Sequence, residues 1–167
     1  MPITYEPIAT TTLGSAAASI TFSTIPATYT DLRLVLTFTT SLSCFPRLVF
    51  NGDTAGNGLY SYTILRGDGT TATSSRVTNS DQLQLHAAAV STTIPSFISC
   101  DVFSYAGSTN KTILSTANQD YNGSGGVQSL VGLRLSTSAL TSVTLSTSNT
   151  ALYSIGTIAT LYGIKNA

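Results

Sequence analysis

The sequence predicts an all-β protein, a two-sheet antiparallel β-sandwich of jelly-roll-like form, and three observations carry that prediction. Serine and threonine supply just over fifty of the 167 residues, against one Glu, two Lys and one His. Exposed helix positions are ordinarily filled by Glu, Lys, Gln and Arg, whereas Thr, Val, Ile and Tyr suit the half-buried face of a pleated sheet. Apolar and polar residues also alternate with period two from end to end. Finally, Gly, Asn, Asp and Pro interrupt that alternation every roughly 10–15 residues, as short strands of a sandwich or jelly roll require.

The elements follow in order. Residues 18–24 read as a strand stopped by Ile25-Pro26, and residues 31–39 set Leu32, Leu34, Leu36 and Phe38 on one face against Arg33, Val35, Thr37 and Thr39. Residues 47–50 form a short run that Asn51-Gly52-Asp53 ends, and residues 59–65 form the next, closed by Gly67-Asp68-Gly69. Over 81–90, Leu83, Leu85, Ala87 and Ala89 alternate with Gln82, Gln84 and His86, which places His86 on the polar face. Residues 94–105 and 111–117 make two strands joined by a hairpin-like Ala106-Gly107-Ser108-Thr109-Asn110, residues 121–126 a flexible loop, and 127–135, 140–146 and 156–165 the last strands. The total is eight to eleven strands. Residues 12–19, with the Ala16-Ala17-Ala18 run, carry Gly14 and are too short for a stable helix, so they read as a turn.

A chain of this length fills one core. The expected organisation is an extended N-terminal arm over 1–12, in which Pro2 and Pro7 keep the backbone extended, followed by a single sandwich domain over 13–167. With 42% hydrophobic residues interspersed throughout, disorder is not expected. Seven acidic and seven basic residues leave a net charge of zero and form no basic stripe, so nucleic acid is not an expected partner. Nor is a membrane, because no apolar run approaches the roughly 20 residues of a span and residues 1–12 lack the features of an export signal. A neutral, hydroxyl-rich surface offers little repulsion between copies and suits a protein packed against others.

Few residues carry chemistry. His86 is the single histidine, which excludes any intrachain site with two histidine ligands, and the Gly-x-Ser-x-Gly elbow of a serine nucleophile is missing. The stretch 51–57 sets oxygen donors at its first, third and seventh positions with Gly56 at the sixth, like part of a calcium loop. Ala55 and Tyr62, however, stand where further ligands belong, and a Gly/Asn turn explains the same letters. The reading is therefore of a non-enzyme with no catalytic residue, metal or cofactor. Cys44 and Cys100 lie among apolar residues and read as buried thiols, with a disulfide as the other reading. Tyr60, Tyr62, Tyr105 and Tyr121 lie near Gly-rich loops, where a ring can close the core edge, fill a subunit contact or hold a sugar. Together with Ile3, Tyr5 and Ile8 of the arm they are the candidate partner-binding residues.

Three stretches add a resemblance. Tyr5-Glu6-Pro7-Ile8-Ala9-Thr10 leads into Ala18-Ser19-Ile20-Thr21-Phe22-Ser23 and Ile25-Pro26-Ala27-Thr28-Tyr29-Thr30-Asp31-Leu32. Phe50-Asn51-Gly52-Asp53 follows with Tyr60-Ser61-Tyr62, and the chain closes with 139–145 and Ala159-Thr160-Leu161-Tyr162-Gly163-Ile164-Lys165. Together they resemble small virion structural proteins of tailed bacteriophages, cyanophages included, described as capsid-decoration or tail proteins. The resemblance implies a decoration (cement) protein, assembled in the host cytoplasm and placed on the capsid surface of the virion. There it would bind major capsid protein subunits and stabilise their contacts as a homotrimer. The alternative is a tail or head fibre module for host recognition that binds cell-surface polysaccharide.

Overall fold

The computed structural model describes residues 5–53, 55–86, 90–120 and 122–165. These form twelve strands: β1 (Tyr5–Thr12), β2 (Ser19–Phe22), β3 (Asp31–Phe38), β4 (Pro46–Phe50), β5 (Tyr60–Gly67), β6 (Ala72–Ser80), β7 (Leu83–Gln84), β8 (Ser96–Val102), β9 (Lys111–Asp120), β10 (Gly125–Arg134), β11 (Val143–Thr147) and β12 (Ile158–Ile164). A broad sheet of eight strands runs in the order β1, β12, β3, β8, β9, β10, β5, β6, and a narrow sheet of four runs β2, β11, β4, β7. Every pairing is antiparallel. The all-β, two-sheet antiparallel sandwich read from the sequence is the observed fold.

The chain passes back and forth between the sheets, so that neither sheet is built from one continuous stretch. The core lies between them because the alternation works as expected in the central strands. On β3, Leu32, Leu34, Leu36 and Phe38 are all buried, in one cluster with Ile20 and Phe22 of β2, Leu48 and Phe50 of β4, and Val143 and Leu145 of β11. Burying each such side chain contributes roughly 1.5–3 kcal/mol. Tyr153, in the link from β11 to β12, fills the gap where the sheets approach. Its ring meets Phe38 edge-on at 5.6 Å, and its hydroxyl donates to the Ser146 carbonyl at 2.9 Å, so the polar end is satisfied inside.

Four local expectations change. The described part of the arm, Tyr5–Thr12, is the edge strand β1, paired with β12 and broken in register between Pro7 and Ala9. Pro7 keeps the chain extended as argued, but extension here means a place in the sheet, with the register break where proline has no N–H to give. β6 is a strand that the sequence did not announce, because its residues are exposed on both faces and only the pairing with β5 defines it. Gly125 and Gly126 open β10 instead of lying in a flexible loop. A Cβ on Gly125 would sit 2.6 Å from the Gln119 carbonyl oxygen, so only glycine allows the tight return from β9. The strand expected over 81–90 shrinks to Leu83–Gln84, after which the alternation fails and both Leu85 and His86 are buried. His86 is thus not on a polar face. Ala87, Ala88 and Ala89 lie outside the described residues.

Candidate functional site

Polarity on the extension of the broad sheet is partly inverted. On β9 the residues turned inward are Lys111, Ile113, Ser115, Ala117 and Gln119, and on β10 they are Gln128, Leu130, Gly132 and Arg134. The outward residues include Leu114 on β9, Val127 and Val131 on β10 and Leu65 on β5, exposed to 44%, 62%, 48% and 57%. The register places Leu114 opposite Val131 and Leu65 opposite Ser129, with Val127 one pair further along, so the four form one patch. Thr63, Thr112, Thr116 and Ser129 surround it, with Asp101 opposite Leu114 on β8 and Arg76 opposite Thr63 on β6 at its margins. Single exposed apolar residues are ordinary, and four grouped on one face make a contiguous apolar patch, the kind of surface that interaction sites use.

Behind this patch lies a buried polar cluster. Arg134 grips Asp53 with two hydrogen bonds, Nε to Oδ2 at 2.7 Å and Nη2 to Oδ1 at 2.9 Å. Tyr60 donates its hydroxyl to Asp53 Oδ2 at 2.5 Å and accepts from the Phe50 backbone N–H at 3.0 Å. Burial pushes the Asp53 carboxyl up, but the bonds from Arg134 and Tyr60 outweigh it and hold it below the usual carboxylate range. Lys111 is fully buried, and its Nζ donates to the carbonyls of Gly107 at 2.6 Å and of Thr109, with Thr137 at 3.4 Å. Burial, then the charge of Arg134, lowers its pKa. The cluster ties loops together and leaves no open face for a substrate, so it braces the fold.

The loop read as part of a calcium site spends its donors internally. Asn51 accepts from the N–H groups of Thr141 and Ser142 at 2.8 and 3.2 Å and donates to the Ala139 carbonyl at 2.8 Å, while Asp53 belongs to Arg134. Gly58 N–H donates to Asp81 at 3.0 Å, and with Gly56 and Asn57 it holds that carboxyl below its ordinary value. A loop that presents N–H groups to a carboxylate is built for an anion, the opposite of a calcium cage. Near the other end of β5, a cleft of about 520 Å³ opens between Gly67, Asp68, Asn118, Asp120, Gly125 and Val127. Its carboxylates are already engaged, Asp68 by Thr70 and Thr71 and Asp120 by the Asn122 N–H.

The tyrosine candidates separate sharply. Tyr60, Tyr62 and Tyr105 are buried and are not surface contacts. Tyr60 and Tyr62 alternate in step with Ile64, which turns them inward, and the Tyr105 hydroxyl donates to the Pro26 carbonyl. Ile8 packs partly buried against the core. Tyr5 alone among the described candidates stands on the surface, 41% exposed; Ile3 and Tyr121 lie outside the described residues. Tyr5 also has company that the sequence reading missed. Tyr162, Arg33 and Asp101 sit on the same outer face, because Pro7 pairs with Tyr162, Tyr162 with Arg33 and Arg33 with Asp101. Shared parity across neighbouring strands was the signal, and it needs the strand order to be read.

No known protein family matches this chain, and neither curated proteins nor solved structures provide a match.

Proposed function

We propose that the protein is a non-enzymatic structural subunit that works docked on other protein subunits, of the capsid decoration (cement) kind implied by its resemblance to phage virion proteins. The observation that carries this reading is the inverted extension of the broad sheet. Leu65, Leu114, Val127 and Val131 point outward while Lys111, Gln119, Gln128 and Arg134 point inward. A free-standing domain gains nothing from that arrangement; a domain whose outer face is covered does.

Strand order supports the same reading. With β5, β6, β9 and β10 set aside, the remaining sheets run β1, β12, β3, β8 and β2, β11, β4, β7, which is the order of an eight-stranded jelly roll. The four extra strands are two hairpin-forming insertions that widen one sheet, and they carry the patch. Jelly rolls host many functions, so the order says where the added surface lies and leaves its use to the residues.

Docking on a finished shell acts by mass action. A subunit that binds only the assembled form stabilises it by about 2.7 kcal/mol per site at a hundredfold excess over Kd. The expected partner is the major capsid protein, with the subunit as a homotrimer. Quantitative mass spectrometry and an electron-microscopy reconstruction of virions of the encoding phage test this. Many copies over the head, seated on the β9–β10–β5 face, support it; a few copies at the tail, or absence from the particle, refute it. Leu114→Asp and Val131→Asp, both at exposed positions, should abolish incorporation and leave the fold intact.

A further inference from the structure

We propose a second site on the outer face, formed by Tyr5, Tyr162, Arg33 and Asp101 at the β1–β12–β3–β8 end, that binds a neutral hexose ring of a polysaccharide. The geometry is that of a platform with a polar rim. The Tyr5 and Tyr162 rings lie 4.9 Å apart between centroids, tilted by 41°, and the Arg33 guanidinium carbon sits 5.7 Å from the Tyr5 ring centroid. Arg33 in turn is locked by two bonds to Asp101, Nε to Oδ1 at 2.5 Å and Nη2 to Oδ2 at 2.7 Å. The locked fork and the packed rings lose little freedom when a ligand arrives.

The chemistry fits one class of ligand. A pyranose has an apolar face of C–H bonds that lies against an aromatic ring, and its edge carries adjacent hydroxyls that both donate and accept. Tyr5 keeps 41% of its surface open for the first role. For the second, the Arg33 N–H donors not engaged by Asp101 or the Tyr5 hydroxyl remain, and each Asp101 oxygen keeps a lone pair. Because Arg33 and Asp101 cancel in charge, the rim has no spare cation for a sulfated or carboxylated sugar. The pair is also a poor explanation as a stabilising brace: Arg33 and Asp101 side chains are 38% and 22% exposed, where ion pairs contribute about 0–1 kcal/mol.

The site borders the docking face where Asp101 stands opposite Leu114, but its aromatic platform on β1 and β12 lies at least three strands from β9. Adjacent strands rotate by about 20–25° each, so the four steps from β12 to β10 turn the outer face by about 80–100° and the two halves look in different directions. A subunit seated on the β10–β5 side of the patch can leave the tyrosine platform open.

The test is titration of the full chain, by NMR or calorimetry, with hexaoses of glucose, mannose and galactose and with an acidic oligosaccharide such as polysialic acid. We expect binding to at least one neutral hexaose, weakened at least tenfold by Tyr5→Ala and by Arg33→Lys, which keeps the charge and removes the fork. Leu65→Asp, on the docking half and three strands from β8, should bind as the wild type does. Retained near-ultraviolet circular dichroism identifies the folded variants, and if Tyr5→Ala fails that check, Tyr5→Leu takes its place. Binding to no neutral hexaose, binding only to the acidic one, or equal binding by the folded Tyr5 and Arg33 variants overturns the proposal.

Discussion

Lys111 and Arg134 stand directly opposite each other on β9 and β10, both inside the protein, and among the described residues Asp53 is the one carboxylate paired with either. Two buried cations therefore share a single anion. Lys111 is held by backbone carbonyls instead, which satisfies its N–H groups without neutralising its charge. Removing the anion leaves both cations buried without a counter-charge.

Asp53→Asn leaves Arg134 buried without a counter-charge, and the expected loss is about 3–5 kcal/mol in urea unfolding. The pH dependence follows from the direction of the Asp53 shift. Its folded pKa lies below the unfolded value of about 3.9, so the unfolded chain binds more protons in that window and stability falls as pH falls. The contribution is complete above the unfolded pKa and is lost on the way down to the folded one. Wild-type urea midpoints between about pH 5 and 2 should drop more steeply than those of Asp53→Asn. Parallel profiles would mean that Asp53 and Arg134 are not coupled.

Gly163 lies flat beneath the Tyr29 ring, and a Cβ there would come within 2.3 Å of it. Gly163→Ala should cost about 1–3 kcal/mol by overpacking. Combined with Tyr29→Ala it should cost clearly less than the sum of the two changes, because the ring that clashes is gone. Strict additivity in the double-mutant cycle would show that the ring does not press on this strand.

Both cysteines are buried and unpaired, which leaves the disulfide reading without a place. Burial pushes the Cys100 thiol up to about 12 and raises that of Cys44 as well. Native protein should therefore be silent to a thiol reagent such as Ellman's at neutral pH and should release two equivalents in urea. Fast native reaction would place one of them at the surface.

Deleting residues 1–12 should lower the melting temperature by about 4–8 °C, corresponding to about 2 kcal/mol in a domain of this size. β1 pairs with β12 along its length, and Ile8 packs against the core, so the deletion exposes a new sheet edge. An unchanged melting temperature would return this segment to the status of a free arm.

How far the sequence could be read depended on whether apolar character chose the same side as burial. On β3 it did, and Leu32, Leu34, Leu36 and Phe38 announced both strand and face. On β10 alternation was visible, but ranking by hydrophobicity picks the face of Val127, Val131 and Leu133 as inward when the inward positions belong to Gln128, Leu130, Gly132 and Arg134; on β9 Ile113 and Ala117 do mark the inward face, though Lys111 and Gln119 share it. Period two states that there are two faces and does not say which is covered. β6 was invisible because neither of its faces is apolar. Tyr60 and Tyr62, read both as rings closing the core edge and as contact residues, lie in the core, as their step with Ile64 indicates. The Tyr5, Tyr162, Arg33 and Asp101 group was beyond reach from one dimension, since it is assembled by register between strands far apart in the chain.

The adjacency of β1 and β12 also sets a clock. Tyr5 pairs with Ile164 and Thr12 with Ile158, so the broad sheet is joined across the widest span of the chain. Closing so long a loop is entropically slow and must await synthesis of the last strand. A nascent chain on the ribosome can form local hairpins such as β5–β6 and β9–β10, yet the jaws of the sandwich stay open until residue 164 has emerged. A chain cut short before β12 therefore lacks the strand that joins β1 to β3, and its broad sheet cannot close.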